Sequence, residues 1–194
     1  LRTKVNKGLI KLSNKIISES NFEIIPDEKT IIIESVRGED EIVLHACFGT
    51  KINSTLAILL SSLLSSTLGY RVDARSDAYR ICLSSKKRIS EKNIIDELTD
   101  QFSIYNIMTT ALKNTNDMNW KTWCVAKQFS VVERGAAYST KSANIIYKQF
   151  EDGPIVKEAL RELFHGKFDL PNTEFILTKI KNKEISVVWS ERTK

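Results

Sequence analysis

Apolar residues recur along the chain in two rhythms, and the switches between them mark its elements. Val5, Leu9, Leu12 and Ile16 stand three or four apart, with Arg2, Lys4, Lys7, Lys11 and Lys15 around them against Glu19. This predicts a basic amphipathic helix over residues 1–20 that connects to an upstream domain, its face meeting that neighbour or a nucleic acid. β-rich runs at Thr30 to Val36 and Glu41 to Phe48, parted by Arg37-Gly38-Glu39-Asp40, predict a hairpin with a solvated acidic tip. A helical rhythm returns from Ile52 to Leu68, where Ile52, Leu56, Leu59, Leu60, Leu63 and Leu64 share one face and Ser54, Ser61 and Ser65 line another. Those small side chains permit close approach by another element or by a phosphate backbone.

A second hairpin is expected from Tyr70 to Ala74 and Ala78 to Leu83, turning at Ser76-Asp77, with Arg71, Asp73 and Arg75 on its wet face. Helices then dominate: about 91–98, 103–112, 119–128, 142–150, 155–165 and 172–181, the last two punctuated by Gly166 and Pro171. An apolar run from Glu184 to Trp189 reads as a strand returning to the sheet. The fold class is α+β: an antiparallel sheet or partial β-barrel from two hairpins plus a C-terminal strand, packed with several helices. Residues 21–194 are expected to form one domain.

Composition narrows the function. With 194 residues, 42% apolar, 27% charged and a net charge of +5, the chain is globular and mildly basic. It begins at Leu1 without a secretory pattern, which suggests a piece of something longer. The uncharged stretch from Ile52 to Tyr70 carries eight Asn, Ser or Thr in 19 residues, so it reads as a buried helix and no membrane partner is expected. Cys47, Cys82 and Cys124 are odd in number and widely spaced, which fits a reducing, cytoplasmic setting. The abundance of Ile and Lys hints at an AT-rich, archaeal genome.

Several chemistries lose ground. The only Gly-Lys pair, Gly166-Lys167, precedes Phe168 rather than a hydroxyl, so no P-loop is present, and none of the Asp-Glu pairs continues as a helicase acidic box. No Glu-x-Lys and no Gly-x-Ser-x-Gly occur. His45-x-Cys47 has metal-like spacing, with Cys82 and Cys124 as distant partners, but reads more simply as a strand with a small buried thiol. His165 beside Gly166 suits the negative end of a helix. No catalytic residue, metal or cofactor is therefore assigned to this chain.

Positive charge gathers in two places, the first of them among aromatic rings. Residues 101–150 hold Lys113, Lys121, Lys127, Arg134, Lys141 and Lys148 against Asp117 and Glu133. In that stretch Trp120, Trp123 and Lys127 share a helix face, which serves either as core or as a platform on which a base stacks beside Lys127. Lys86-Lys87-Arg88 forms a basic loop after the second hairpin.

Four strings carry a resemblance in order. They are Glu41-Ile-Val-Leu-His-Ala-Cys-Phe-Gly-Thr-Lys-Ile-Asn-Ser-Thr-Leu56, Asp77-Ala-Tyr-Arg-Ile-Cys-Leu83, Trp123-Cys-Val-Ala-Lys-Gln-Phe129 and Gly153-Pro-Ile-Val-Lys-Glu-Ala-Leu-Arg-Glu-Leu163. Together with Phe168-Asp-Leu170 and Lys183-Glu-Ile-Ser-Val-Val188, they resemble the DEAD/H-associated domain of large helicase-related (Lhr) proteins over nearly the whole chain.

The resemblance implies an accessory domain of a superfamily 2 ATP-dependent DNA-repair helicase that moves 3′ to 5′ on single-stranded DNA and unwinds DNA or RNA:DNA hybrids. RecA-like motor domains, holding ATP and Mg, and a winged helix would be its partners, and this domain would help to form the single-strand channel. Gly49, Lys51 and Asn53 match the family's turn: Gly49 for the tight entry, Lys51 for a phosphate, Asn53 to cap the helix or donate to backbone. Leu56 stands where some members carry an aromatic, so no stacking contact is assigned to it. The Glu158-Ala-Leu-Arg161 string reads as helix packing with a surface ion pair. The nucleic-acid candidates are thus Gly49, Lys51, Asn53, Arg71, Arg75, Trp123 and Lys127. The alternative is a protein-interaction module that docks on a motor or another protein.

Overall fold

The computed structural model describes residues 26–36, 41–100, 102–113 and 115–192. The expected helix over 1–20 and the acidic tip at 37–40 lie outside the described residues. The first two strands are β1, Thr30–Val36, and β2, Glu41–His45, followed by α1, Thr50–Leu68. A second strand pair follows, β3 at Val72–Ser76 and β4 at Arg80–Ser85. Six helices come next: α2, Glu91–Thr99; α3, Ile104–Leu112; α4, Asn116–Gln128; α5, Thr140–Gln149; α6, Pro154–Lys167; and α7, Leu170–Lys181. Strand β5, Ser186–Arg192, ends the order.

The sheet runs β3-β4-β2-β1-β5. All neighbours are antiparallel except β1 and β5, which pair in parallel with Ile31 opposite Val187 and Ile33 opposite Trp189. The sheet is α+β in kind but open, and the partial barrel is corrected to a single sheet with edges at β3 and β5. Closure is pre-empted because helices cover one face and because α1 occupies the β3 edge. Ser61 Oγ donates to Val72 O at 2.7 Å, and Val72 N donates to Ser65 Oγ at 2.9 Å. The serine stripe thus meets strand backbone, and at Val72 both backbone groups on the edge are satisfied by α1.

Helix α1 divides the interior. Its Leu56, Leu60 and Leu64 join Ile33, Leu44, Ile81 and Leu83 of the sheet in one core, closed by α2 and α7. Its Leu59 joins a second core built from α3 to α6 around Met108, Val125, Ala143 and Ala159. Each such buried leucine contributes about 1.5–3 kcal/mol, so α1 acts as the spine that holds sheet and helices in register.

Local signals set the helix ends. Ser90, Ser103, Thr115 and Ser139 cap α2 to α5 through their side-chain oxygens. Gly166 does not end α6, which runs on to Lys167. Pro171 lies in the first turn of α7, where its missing N–H costs nothing, and Asp169 caps that helix. Only Phe168 and Asp169 separate α6 from α7. Among the described residues, no helix is long and apolar enough to cross a membrane.

Candidate nucleic-acid interface

The turn between β2 and α1 is built around backbone that only glycine tolerates well. Gly49 sits at φ +88°, ψ 167° as the N-cap of α1, and its N–H donates to Ala78 O at 3.1 Å. The helix starts at Thr50, so Asn53 lies one turn inside and does not cap it. Its Nδ2 donates instead to Ala46 O at 2.8 Å and to Asp77 O at 2.9 Å. Those two carbonyls fix the amide's orientation. Asn53 is fully buried, and its Oδ1 has no hydrogen-bond partner among the described residues. With Ala46 N donating to Tyr79 O at 2.9 Å, these bonds staple the β2–α1 turn to the β3–β4 turn.

That second turn is closed by Asp77. Its Oδ1 accepts from Tyr79 N and Arg80 N, each at 2.8 Å, and its Oδ2 from Arg80 Nε at 3.0 Å. The Tyr79 N–H, with Arg80, holds the Asp77 carboxyl below its ordinary value. The staple leaves the Tyr79 ring exposed at the tip.

Lys51 leaves the first turn of α1 on the outer side, and its Nζ donates to His165 O at 2.8 Å near the end of α6. It thereby forms one wall of a cavity of about 760 Å³ between α1, α3 and the α6–α7 junction. Lys157, Arg161, Phe164 and His165 line the α6 side, and Tyr105 of α3 faces them. The Tyr105 ring is about half exposed and meets Phe164 edge-on, centroids 5.4 Å apart. Arg161 is held bidentately by Glu158, with Nε to Oε2 at 2.8 Å and Nη2 to Oε1 at 2.6 Å. The guanidinium thereby holds the Glu158 carboxyl below its ordinary value. The expected surface ion pair is therefore present, but it lies at the cavity's rim. Lys157 and Tyr105 escaped the sequence reading, and Arg161 was read only as half of a surface ion pair. The spacing Lys157-x-x-x-Arg161-x-x-Phe164-His165, one face of a helix, is the signal that marks the α6 side; Tyr105 carries no such mark.

Arg71 and Arg75 stand apart from Lys51, on the exposed side of the sheet. Arg71 pairs with Asp73 at 2.7 Å and Arg75 with Glu41 at 2.6 Å. Arg75 is held charged by Cys82 and then by Glu41. Beside them, Lys87 lies over the Tyr70 ring, Nζ 5.5 Å from its centroid.

Trp123 and Lys127 form a third group, on α4, and turn inward. Trp123 is 5% exposed, whereas Trp120 is 50% exposed and packs edge-on against Tyr138 at 5.0 Å. Lys127 Nζ sits 5.6 Å from the Trp123 ring centroid and donates to Arg134 O at 3.0 Å and Ala136 O at 2.7 Å. The Trp123 ring is core and Lys127 ties down the following loop; the accessible ring on this face is Trp120.

The metal-like spacing resolves into ordinary contacts. His45 Nε2 lies 3.0 Å from Glu34 Oε2, and Cys47 Sγ 3.8 Å from Pro26 O. Cys47 is exposed rather than a buried thiol, and its partial desolvation, with Asp27 nearby, raises the thiol above its ordinary value. Among the described residues no three His, Cys, Asp or Glu converge.

Comparison with known proteins places this fold. The chain is 25% identical over 190 residues to the ATP-dependent helicase Lhr-Core protein 2 of Thermococcus barophilus, covering 89% of this chain and 22% of that protein. It is 22% identical to the ATP-dependent helicase Lhr-Core of Sulfolobus acidocaldarius, covering 84% of this chain and 20% of the relative. The chain thus spans about a fifth of the length of these relatives. The structure of Mycobacterium smegmatis helicase Lhr bound to ssDNA and AMP-PNP shares the fold, with TM-score 0.70 and 19% identity, over 88% of this chain and 23% of that one. The DEAD/H associated family matches residues 25–194, and the chain belongs to that family.

Proposed function

We propose that this chain is the accessory domain of an Lhr-type ATP-dependent DNA helicase, one that helps to form the channel for a single strand. Membership of the DEAD/H associated family over residues 25–194 carries the reading, because the relatives that share the domain are ATP-dependent helicases about five times its length. RecA-like motor and winged-helix domains of the parent would then be its neighbours, and ATP and Mg would be held there. Single-stranded DNA or an RNA:DNA hybrid is the partner, in a cytoplasmic DNA-repair setting. The solved Lhr relative was captured with ssDNA.

Lys51 carries the phosphate contact in this reading, while Gly49 and Asn53 position its turn. Arg71 and Arg75 add a second, partly neutralised surface, and Trp123 and Lys127 support the surface bearing Trp120. A docking role on the motor or another protein is favoured by one observation, the exposed Trp120–Tyr138 pair. Fluorescence anisotropy with a labelled single strand tests the first reading. Binding should weaken with salt, and Lys51→Ala with Arg75→Ala should lower both affinity and salt slope. An unchanged affinity and slope would refute that surface.

A further inference from the structure

The cavity beside Lys51 combines converging cations with an exposed aromatic ring. Lys51, Lys157 and Arg161 oppose a single lining carboxylate, Asp169. That carboxylate is engaged in capping α7, accepting from Asn172 N at 3.2 Å and Asn172 Nδ2 at 2.8 Å. Lys51 spends one of its three N–H donors on His165 O, and Arg161 spends Nε and Nη2 on Glu158, so each keeps donors for an anion. Lys157 is exposed and pairs with no carboxylate among the described residues. Phe168 is buried as part of the lining, and the Tyr105–Phe164 pair leaves about half of Tyr105 accessible.

We propose that this cavity receives one unpaired nucleotide of a bound strand, its base stacked on Tyr105 and its phosphates held by Lys157, Arg161 and Lys51. The inference rests on the strand-binding reading above and assigns its site. Cations along a groove with an aromatic platform are the recognition elements for single strands, since every base offers a flat face. A peptide added as a β-strand would need a free sheet edge, and helices and loops line this cavity. A duplex end is disfavoured because its bases are already stacked.

The test uses the 194-residue chain with a fluorescent oligothymidylate of about 12 nucleotides, and with iodouracil replacing thymine for photo-cross-linking. Lys157→Ala/Arg161→Ala should weaken binding about ten-fold and flatten its salt slope by about 1.4, the share of two phosphate contacts on a single strand. Tyr105→Ala should abolish a cross-link mapped by mass spectrometry to Tyr105, and Tyr105→Phe should restore it. All these side chains reach the surface, and thermal melts confirm that the variants fold. If the strand binds but these variants match the wild type and cross-links map elsewhere, the cavity assignment fails while strand binding stands. If no strand binds at low salt, both fail. Equal competition by thymidine monophosphate would make a free nucleotide the ligand and overturn the proposal.

Discussion

Replacing Asn53 with Ala removes the amide that ties the β2–α1 turn to the β3–β4 turn. Two carbonyls, the buried Ala46 O and the part-buried Asp77 O, lose donors at 2.8 and 2.9 Å. Leaving a buried acceptor unmade costs about 1–3 kcal/mol each. One term opposes this: Asn53 Oδ1 is itself buried without a partner, and its removal returns about 1 kcal/mol. The net expectation is a loss of about 1–5 kcal/mol, which in a domain of this size lowers the melting temperature by about 2–20 °C. Circular dichroism of thermal and urea unfolding measures it. Asn53→Asp sharpens the test, because a carboxylate would set negative oxygen against both carbonyls. That variant should be the less stable of the two near neutral pH. It should recover as pH falls, since the protonated acid regains one donor. An Asn53→Ala variant within about 0.5 kcal/mol of wild type would refute the claim that this amide holds the two turns together.

Gly49→Ala meets no atom within 4 Å, so its cost is backbone strain alone at φ +88°, about 1–3 kcal/mol by urea unfolding. Asp77 stabilises its turn as a carboxylate with a lowered value, so its contribution is complete at neutral pH and is lost as pH falls through that lowered value. Melting curves of wild type and Asp77→Ala should therefore differ at neutral pH and converge in acid. Trp123→Ala should cost about 3–5 kcal/mol as a core truncation, with little change for Trp120→Ala. Acrylamide should quench Trp120 and spare Trp123. Lys127→Met should loosen the loop from Arg134 to Ala136, seen as faster amide exchange confined to that loop.

Periodicity made the framework legible, because burial on one face is written directly in spacing. Leu56, Leu60 and Leu64 announced α1, two β-rich runs parted by an acidic turn announced the first hairpin, and alternation announced the second. What covers a face is not written there: Ser61 and Ser65 were readable as small, yet their partner, the edge of β3, appears only when the chain folds. Trp120, Trp123 and Lys127 do share a helix face, but packing of α4 on its neighbours decides that Trp123 is inside and Trp120 outside. Gly166 and Pro171 were read as stops because each breaks a helix interior, whereas Gly166 is tolerated near the end of α6 and Pro171 opens α7. Lys51 was found because it matches the turn of the family that the chain resembles. Its neighbours Tyr105 and Arg161 lie more than fifty residues away, beyond any local pattern, and only the meeting of α1 with α3 and α6 brings them to it.

In the proposed function this domain grips a strand through its phosphates. Titrating a labelled single strand across a range of salt concentrations measures that grip most directly. Three cations at the cavity, Lys51, Lys157 and Arg161, set the expected slope of log affinity against log salt at about −2. A slope near zero, or no binding at low salt, would contradict the claim.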